Sequence, residues 1–391
     1  MDERRPRRAV GRTVVGAALV AVVGLAVASP AGADRIRDDQ WHLSHLDIAS
    51  AHAISQGEGI TVAVVDSGID EDHPDLAGNV LDGYDVVVGG AGNGWGDVDG
   101  HGTGMAGLIA AHGHGPDNAE GAMGIAPRAQ ILPLRIKTTA TYGDGSAMAL
   151  AIDEAVRRGA DIITVPVNSD DQAFDAVQRA LAAGLIIVAS SGNQPRETIM
   201  GYPAADPGVV AVGAIGQDGN IADVSVRGSG LGKISLTAPG VDIVSSSKDG
   251  EYRIGTGTSP STAIVAGVAA LVWSKYPDLS NVEVVKHLTD TATDQGAPGQ
   301  DVEYGFGVVD PVAALTSTPV PTTTTTMTPL GPTAPIIEPP DDEAAAAAAG
   351  GSGSDGGTSP GLVAAGVAAV LGVTVVGVVL WRRRARATSP P

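Results

Sequence analysis

The chain has 391 residues, a net charge of −20, no cysteine and few aromatic residues, and glycine is abundant. Without cysteine there can be no disulfide, thiol nucleophile or thiolate metal site. Five arginines in the first twelve residues, four after Trp381, and Asp2 and Glu3 stand apart from a middle with 15 basic against 42 acidic residues, a balance that argues against nucleic acid as a partner.

In chain order, residues 1–33 read as a signal peptide. A basic start is followed by an apolar run from Val14 to Val27 and by Ala31-Gly32-Ala33, a small-x-small cleavage pattern; an uncleaved anchor is the alternative. Residues 34–56 form an N-terminal extension with Trp41-His42-Leu43 and a helical pattern through Ile48, Ala51, His52 and Ile54. From Ile60 to about Leu315, apolar runs of strand length alternate with helix-like segments. The runs are Ile60–Val65, Ile131–Ile136, Ile162–Val167, Leu185–Ala189, Val209–Ala214 and Ile234–Thr237. The helices fall near Gly104–Ala111, Ser146–Arg158, Asp171–Ala183 and Pro260–Lys275. That alternation predicts an α/β domain over 57–316: a mostly parallel central sheet, helices on both faces, and sites at the carboxyl ends of the strands.

Beyond it, 317–360 is a Pro/Thr/Ala/Gly-rich linker unable to bury enough apolar surface to fold. Gly361 to Trp381 is uncharged and long enough to cross a bilayer, and 382–391 is a basic tail expected to stay cytoplasmic. These ends predict a cell-membrane protein with one C-terminal transmembrane helix and an extracytoplasmic body.

Four stretches carry chemistry. Gly257-Thr258-Ser259 opens an Ala- and Val-rich helix, so the Ser259 hydroxyl stands where backbone N–H groups and the helix dipole converge; a helix cap with Pro260 in the first turn explains the same residues. The strand Ile60–Val65 runs into Asp66, placed to orient a histidine or merely to begin a turn. His101 lies between glycines at the head of an apolar helix, as a general base or an idle loop residue. Asp97 and Asp99 beside it are weak support for a metal. The strand Leu185–Ala189 leads to Ser190-Ser191-Gly192-Asn193, where Asn193 can donate to an oxyanion or simply turn the chain.

Together, in the order Asp, His, Asn, Ser, these stretches resemble the motifs of the subtilisin-like serine proteases, whose chain order is Asp before His before Ser. Coverage runs from about Gly57 to Leu315 and includes His73-Pro74-Asp75-Leu76, Gly124-Ile125-Ala126-Pro127 and Tyr304-Gly305-Phe306-Gly307. The resemblance implies a three-layer subtilisin-like fold and a serine endopeptidase with Asp66, His101 and Ser259 as triad. It makes Asn193 and the Ser259 N–H the oxyanion donors, and Thr164, Val165, Pro166, Ser190, Ser191 and Gly192 the substrate-binding residues. It calls for no cofactor, and no loop is convincingly composed for a structural calcium. The extension, the spacer and the C-terminal span further resemble the mycosins, membrane-anchored subtilases associated with type VII secretion. That implies a protein or peptide substrate, a lead-in packed on the domain, and a membrane secretion complex as partner.

Departures stand beside the likeness. Pro260 directly follows the serine and restricts its backbone. Pro166 and Asn168 lie on the strand expected to pair with a peptide, where Pro166 removes an N–H and Asn168 replaces a glycine. Ser190-Ser191 make the neighbouring pocket wall more polar. The prolines support an alternative function, a weakly active or inactive subtilase-fold scaffold for a secretion complex. His112 and His114 read as loop residues. His287 follows Ser259 in an α/β-hydrolase-like order, but no Gly-x-Ser-x-Gly elbow is present.

Overall fold

A computed structural model describes residues 35–320 apart from 88, 90, 138–142 and 231. The expected signal peptide 1–33, the expected linker beyond 320, the expected span 361–381 and the expected tail lie outside the described residues. Among the described residues, no helix is long and apolar enough to cross a membrane.

The helices are α1 (Arg35–Asp38), α2 (Trp41–His45), α3 (Ile48–His52), α4 (His101–Ala110), α5 (Gly145–Arg157), α6 (Phe174–Ala182), α7 (Thr258–Lys275), α8 (Asn281–Asp290) and α9 (Pro311–Thr316). The strands are β1 (Thr61–Asp66), β2 (Tyr84–Asp85), β3 (His112–His114), β4 (Glu120–Met123), β5 (Gln130–Arg135), β6 (Ile162–Val165), β7 (Ile186–Ser190), β8 (Val210–Ile215), β9 (Leu236–Pro239), β10 (Ile243–Ser246) and β11 (Tyr252–Gly255). Seven strands form one sheet in the order β2-β5-β1-β6-β7-β8-β9. Every pairing in it is parallel.

Because side chains alternate along a strand, each apolar run feeds two cores. Val62, Val64, Ile131, Ile162, Ile186 and Val188 point to the face covered by α4 and α7. Ala63, Val65, Leu132, Ile163, Val165 and Ile187 point to the face covered by α5 and α6. Helix α7 is buried from Thr258 to Val272, which is why its sequence is apolar on every side. Helix α8 opens on a reciprocal capping box between Ser280 and Glu283, and α9 closes the domain with Ala314 and Leu315 buried.

The extension packs on the domain as expected. The Gln40 amide donates to the Met123 and Val244 carbonyls at 3.1 and 3.3 Å, and its oxygen accepts from the Met123 N–H at 2.8 Å. Trp41 donates to the Val241 carbonyl at 3.0 Å. His42 is fully buried without a hydrogen-bond partner, and that burial pushes its imidazole down to about 3.

Two features differ from the sequence reading. His112 and His114 lie on β3 of the β3–β4 hairpin rather than in a loop, and His114 Nδ1–H donates to Asp75 at 2.6 Å. The β10–β11 hairpin replaces a stretch with no assigned structure. His287 is structural: it is buried, with Nε2 at 2.8 Å from the Ala314 carbonyl.

Candidate active site

Asp66 is the last residue of β1 and only 1% exposed. Its Oδ2 accepts from His101 Nδ1–H at 2.7 Å. Its Oδ1 accepts from the Ser67 N–H at 2.6 Å and has the Lys137 ammonium at 3.6 Å. Burial pushes this carboxyl up, but the facing His101 and Lys137 charges and the two hydrogen bonds outweigh it and hold the group well below the usual carboxylate range.

The loop that presents His101 is tied to Asp97. One Asp97 oxygen accepts from the Ser67 hydroxyl at 2.8 Å and from the Asp99 and Gly100 N–H groups at 3.0 and 2.9 Å. The other accepts from the Thr103 N–H and hydroxyl at 2.9 and 2.7 Å. Asp97 is therefore the anchor of the α4 N-terminus, with its acceptor capacity spent on these donors. Ser67 Oγ also accepts from the Gly102 N–H at 3.0 Å. Gly102 is required because a Cβ there would sit 2.1 Å from the Gly68 carbonyl oxygen.

Ser259 is the second residue of α7, and Pro260 the third. The first four N–H groups of a helix have no partner within it, so a proline in this turn forfeits no intrahelical bond. The serine thus keeps the helix-start position that the sequence assigned, despite its proline. Its hydroxyl donates to the Pro166 carbonyl at 2.8 Å rather than to His101. Asn193 follows β7, and its side-chain oxygen accepts from the Thr258 N–H at 2.8 Å and the Thr258 hydroxyl at 3.3 Å. With the oxygen so engaged, the amide N–H groups are the part left to face the cleft.

His101, Ser259, Asn193, Pro166 and Ser190 share a cleft of about 520 Å³, with Asp66 buried beneath His101. The chain belongs to the subtilase family of serine peptidases. The subtilase family model matches residues 57–307. Subtilisin Savinase of Lederbergia lenta is 36% identical over 278 residues, covering 70% of this chain and 97% of that protein. Subtilisin E of Bacillus subtilis is 34% identical over 264 residues, 66% of each chain. A crystal structure of MycP1 with its N-terminal propeptide removed is 30% identical, with a TM-score of 0.63 over 72% of this chain and 98% of that one. A structure of MycP1 from Mycobacterium smegmatis gives 29% and 0.61 over 72% of this chain and 85% of that one. This subtilase is thus similar in structure to MycP1 and in sequence to subtilisins.

The substrate-binding residues named from the sequence divide. Pro166 and Ser190 line the cleft, whereas Thr164, Val165 and Ser191 are fully buried and Gly192 exchanges hydrogen bonds with Thr258 behind it. The stretch that lines the cleft begins only where β6 ends, at Pro166–Asn168, all three of them buried. Sequence reasoning missed Asp97 as a loop anchor and Lys137 as the cation beside Asp66, whereas Asn168, read as replacing a glycine on the peptide edge, does line the cleft. The available signals were an Asp four residues before a helix start and a single Lys ending an apolar strand.

Proposed function

We propose that this subtilase cleaves peptide bonds with Ser259 as nucleophile, His101 as base and Asp66 as the carboxylate that orients the imidazole and stabilises its charged form. The supporting observation is the 2.7 Å Asp66–His101 bond at the mouth of a cleft that also holds Ser259 and Asn193.

Binding of an extended peptide along Pro166–Asn168 brings a substrate N–H to the Pro166 carbonyl and releases the Ser259 hydroxyl towards His101. Losing one such hydrogen bond costs about 1 kcal/mol, small beside the 8 kcal/mol or more by which enzymes lower barriers. His101 takes the hydroxyl proton as Ser259 Oγ attacks the carbonyl carbon. The oxyanion is held by the Asn193 amide and the Ser259 N–H, aided by the α7 dipole. The imidazolium then protonates the leaving amine, and water, activated in the same way, hydrolyses the acyl-enzyme.

The sequence extends the proposal to an exported protein anchored by 361–381, with its catalytic domain outside the membrane and its tail in the cytoplasm. A link to type VII secretion rests on the likeness to MycP1, one of whose structures is described as being from the ESX-1 type VII secretion system. The bond that turns Ser259 to Pro166 favours a second reading, a scaffold of that complex with little proteolysis.

A fluorophosphonate probe separates the two. The full chain should label once, and Ser259→Ala or His101→Ala should abolish labelling. A folded protein that never labels favours the scaffold, and labelling that survives Ser259→Ala removes Ser259 as nucleophile.

A further inference from the structure

Beside Ser259, the floor of the cleft holds a polar group that the mechanism does not use. Asn168 is 5% exposed and lines the cleft. Its side-chain oxygen accepts from the Ser190 hydroxyl at 3.2 Å, while its buried Nδ2 has no hydrogen-bond partner. A buried amide N–H left unpaired carries its desolvation penalty uncompensated, so a group that pairs it gains more than one hydrogen bond to water would give.

The position of this amide fixes what it faces. A peptide whose scissile carbonyl carbon meets Ser259, with its oxygen at Asn193, lies between the Pro166–Asn168 edge and the Ser190–Asn193 turn. The side chain on the acyl side of that bond then drops into the gap between these segments, where Asn168 already stands. A Cβ added at Gly201 would lie 3.0, 3.1 and 3.2 Å from Asn168 Nδ2, Cγ and Cβ, and one added at Gly192 would lie 3.0 Å from Nδ2. The Asn168 side chain is therefore packed against Gly192 and Gly201, and from that seat in the cleft lining it takes up space that a large side chain would need. The Glu197 carboxylate beside it, which accepts from the Asn193 N–H at 2.5 Å, disfavours an acidic one.

We propose that Asn168 sets the cleavage preference of this subtilase: it closes the pocket beside Ser259 to large side chains and offers its unpaired amide to a small, neutral, hydroxyl-bearing residue such as serine. The proposal rests on the peptidase reading for the placement of the substrate, but its test does not need catalysis.

The full chain carrying Ser259→Ala is titrated with acetyl-Ala-Ala-Ala-X acids, X being Ser, Ala, Leu or Phe. The Ser peptide should bind about fivefold more tightly than Ala, and Leu and Phe at least about tenfold more weakly than Ala. Adding Asn168→Gly should raise Leu and Phe affinity at least about tenfold and erase the preference for Ser. Asn168→Ala, which keeps an ordinary backbone, should shift the order the same way and stands in if the glycine variant does not fold. Leu or Phe binding as tightly as Ser with Asn168 present overturns the proposal, as does an unchanged order in both variants or no binding by any of the four. Fluorophosphonate labelling reports separately on catalysis, so loss of activity and loss of this preference are told apart.

Discussion

The two halves of the active site are held very differently. On the Asp66–His101 side, Asp97 accepts five hydrogen bonds, Ser67 links it to Gly102, and Lys137 faces the carboxylate. On the Ser259 side, the hydroxyl rests on Pro166 and the neighbouring amide of Asn168 is unpaired. In the proposed mechanism the base is prepared before substrate arrives, and the nucleophile and its pocket are completed by the substrate. A fixed base costs no reorganisation during the reaction, while a pocket with one unsatisfied donor gains selectivity from what fills it.

The largest break in this contrast is Asp66→Asn, which leaves His101 in place but favours the wrong tautomer. It should lower kcat on the order of 10⁴-fold, read as steady-state peptide hydrolysis. Asn193→Ala tests the other side: kcat should fall on the order of 10²–10³-fold with KM nearly constant, since its amide bonds an oxygen charged only in the transition state.

Asp97→Ala separates positioning from chemistry. It strands five donors, should cost about 3 kcal/mol or more, and should lower the melting temperature by roughly 6–12 °C along with activity. A melting temperature unchanged by this variant would mean that the His101 loop is held by something other than Asp97.

The sequence made the motifs legible because each lies where an apolar strand ends or an apolar helix begins, as with Asp66 after Ile60–Val65 and Ser259 before the Ala/Val-rich helix. The sheet and its two faces followed from alternation. What stayed hidden depends on contacts distant in the chain. Asp97 reaches Ser67 thirty residues away, Lys137 reaches Asp66, and the extent of the peptide edge depends on which residues of 162–168 the helices cover. The β3–β4 and β10–β11 hairpins carry too few apolar residues to produce a strand pattern, and glycines mark their turns instead.

Lys137→Met gives a smaller effect. Its ammonium partly neutralises Asp66; without it the imidazolium is favoured, so the acid limb of the kcat/KM profile should move to higher pH while the plateau changes less than about threefold. A limb that moves to lower pH would show that Lys137 does not act through Asp66.

The smallest effect lies away from the cleft. Burial, with Asp171 nearby, pushes the Asp206 carboxyl up to about 6, and its Oδ2 has no partner. A folded-state value above the unfolded one means that ionisation opposes folding, so stability is lost as pH rises from about 4 to about 6 and then stays level. Asp206→Asn should raise the melting temperature at pH 8 by roughly 2–4 °C and change it little at pH 4; equal shifts at both would exclude titration as the cause.

The most direct test of a substrate-completed nucleophile is a crystal structure of the full chain with a tetrapeptide boronic acid ending in the serine analogue. Ser259 Oγ should have left Pro166 for boron, the Pro166 carbonyl should accept a peptide N–H, and a boronate oxygen should lie about 2.7–3.1 Å from Asn193 Nδ2. A bound peptide with the Ser259 hydroxyl still on the Pro166 carbonyl would contradict it.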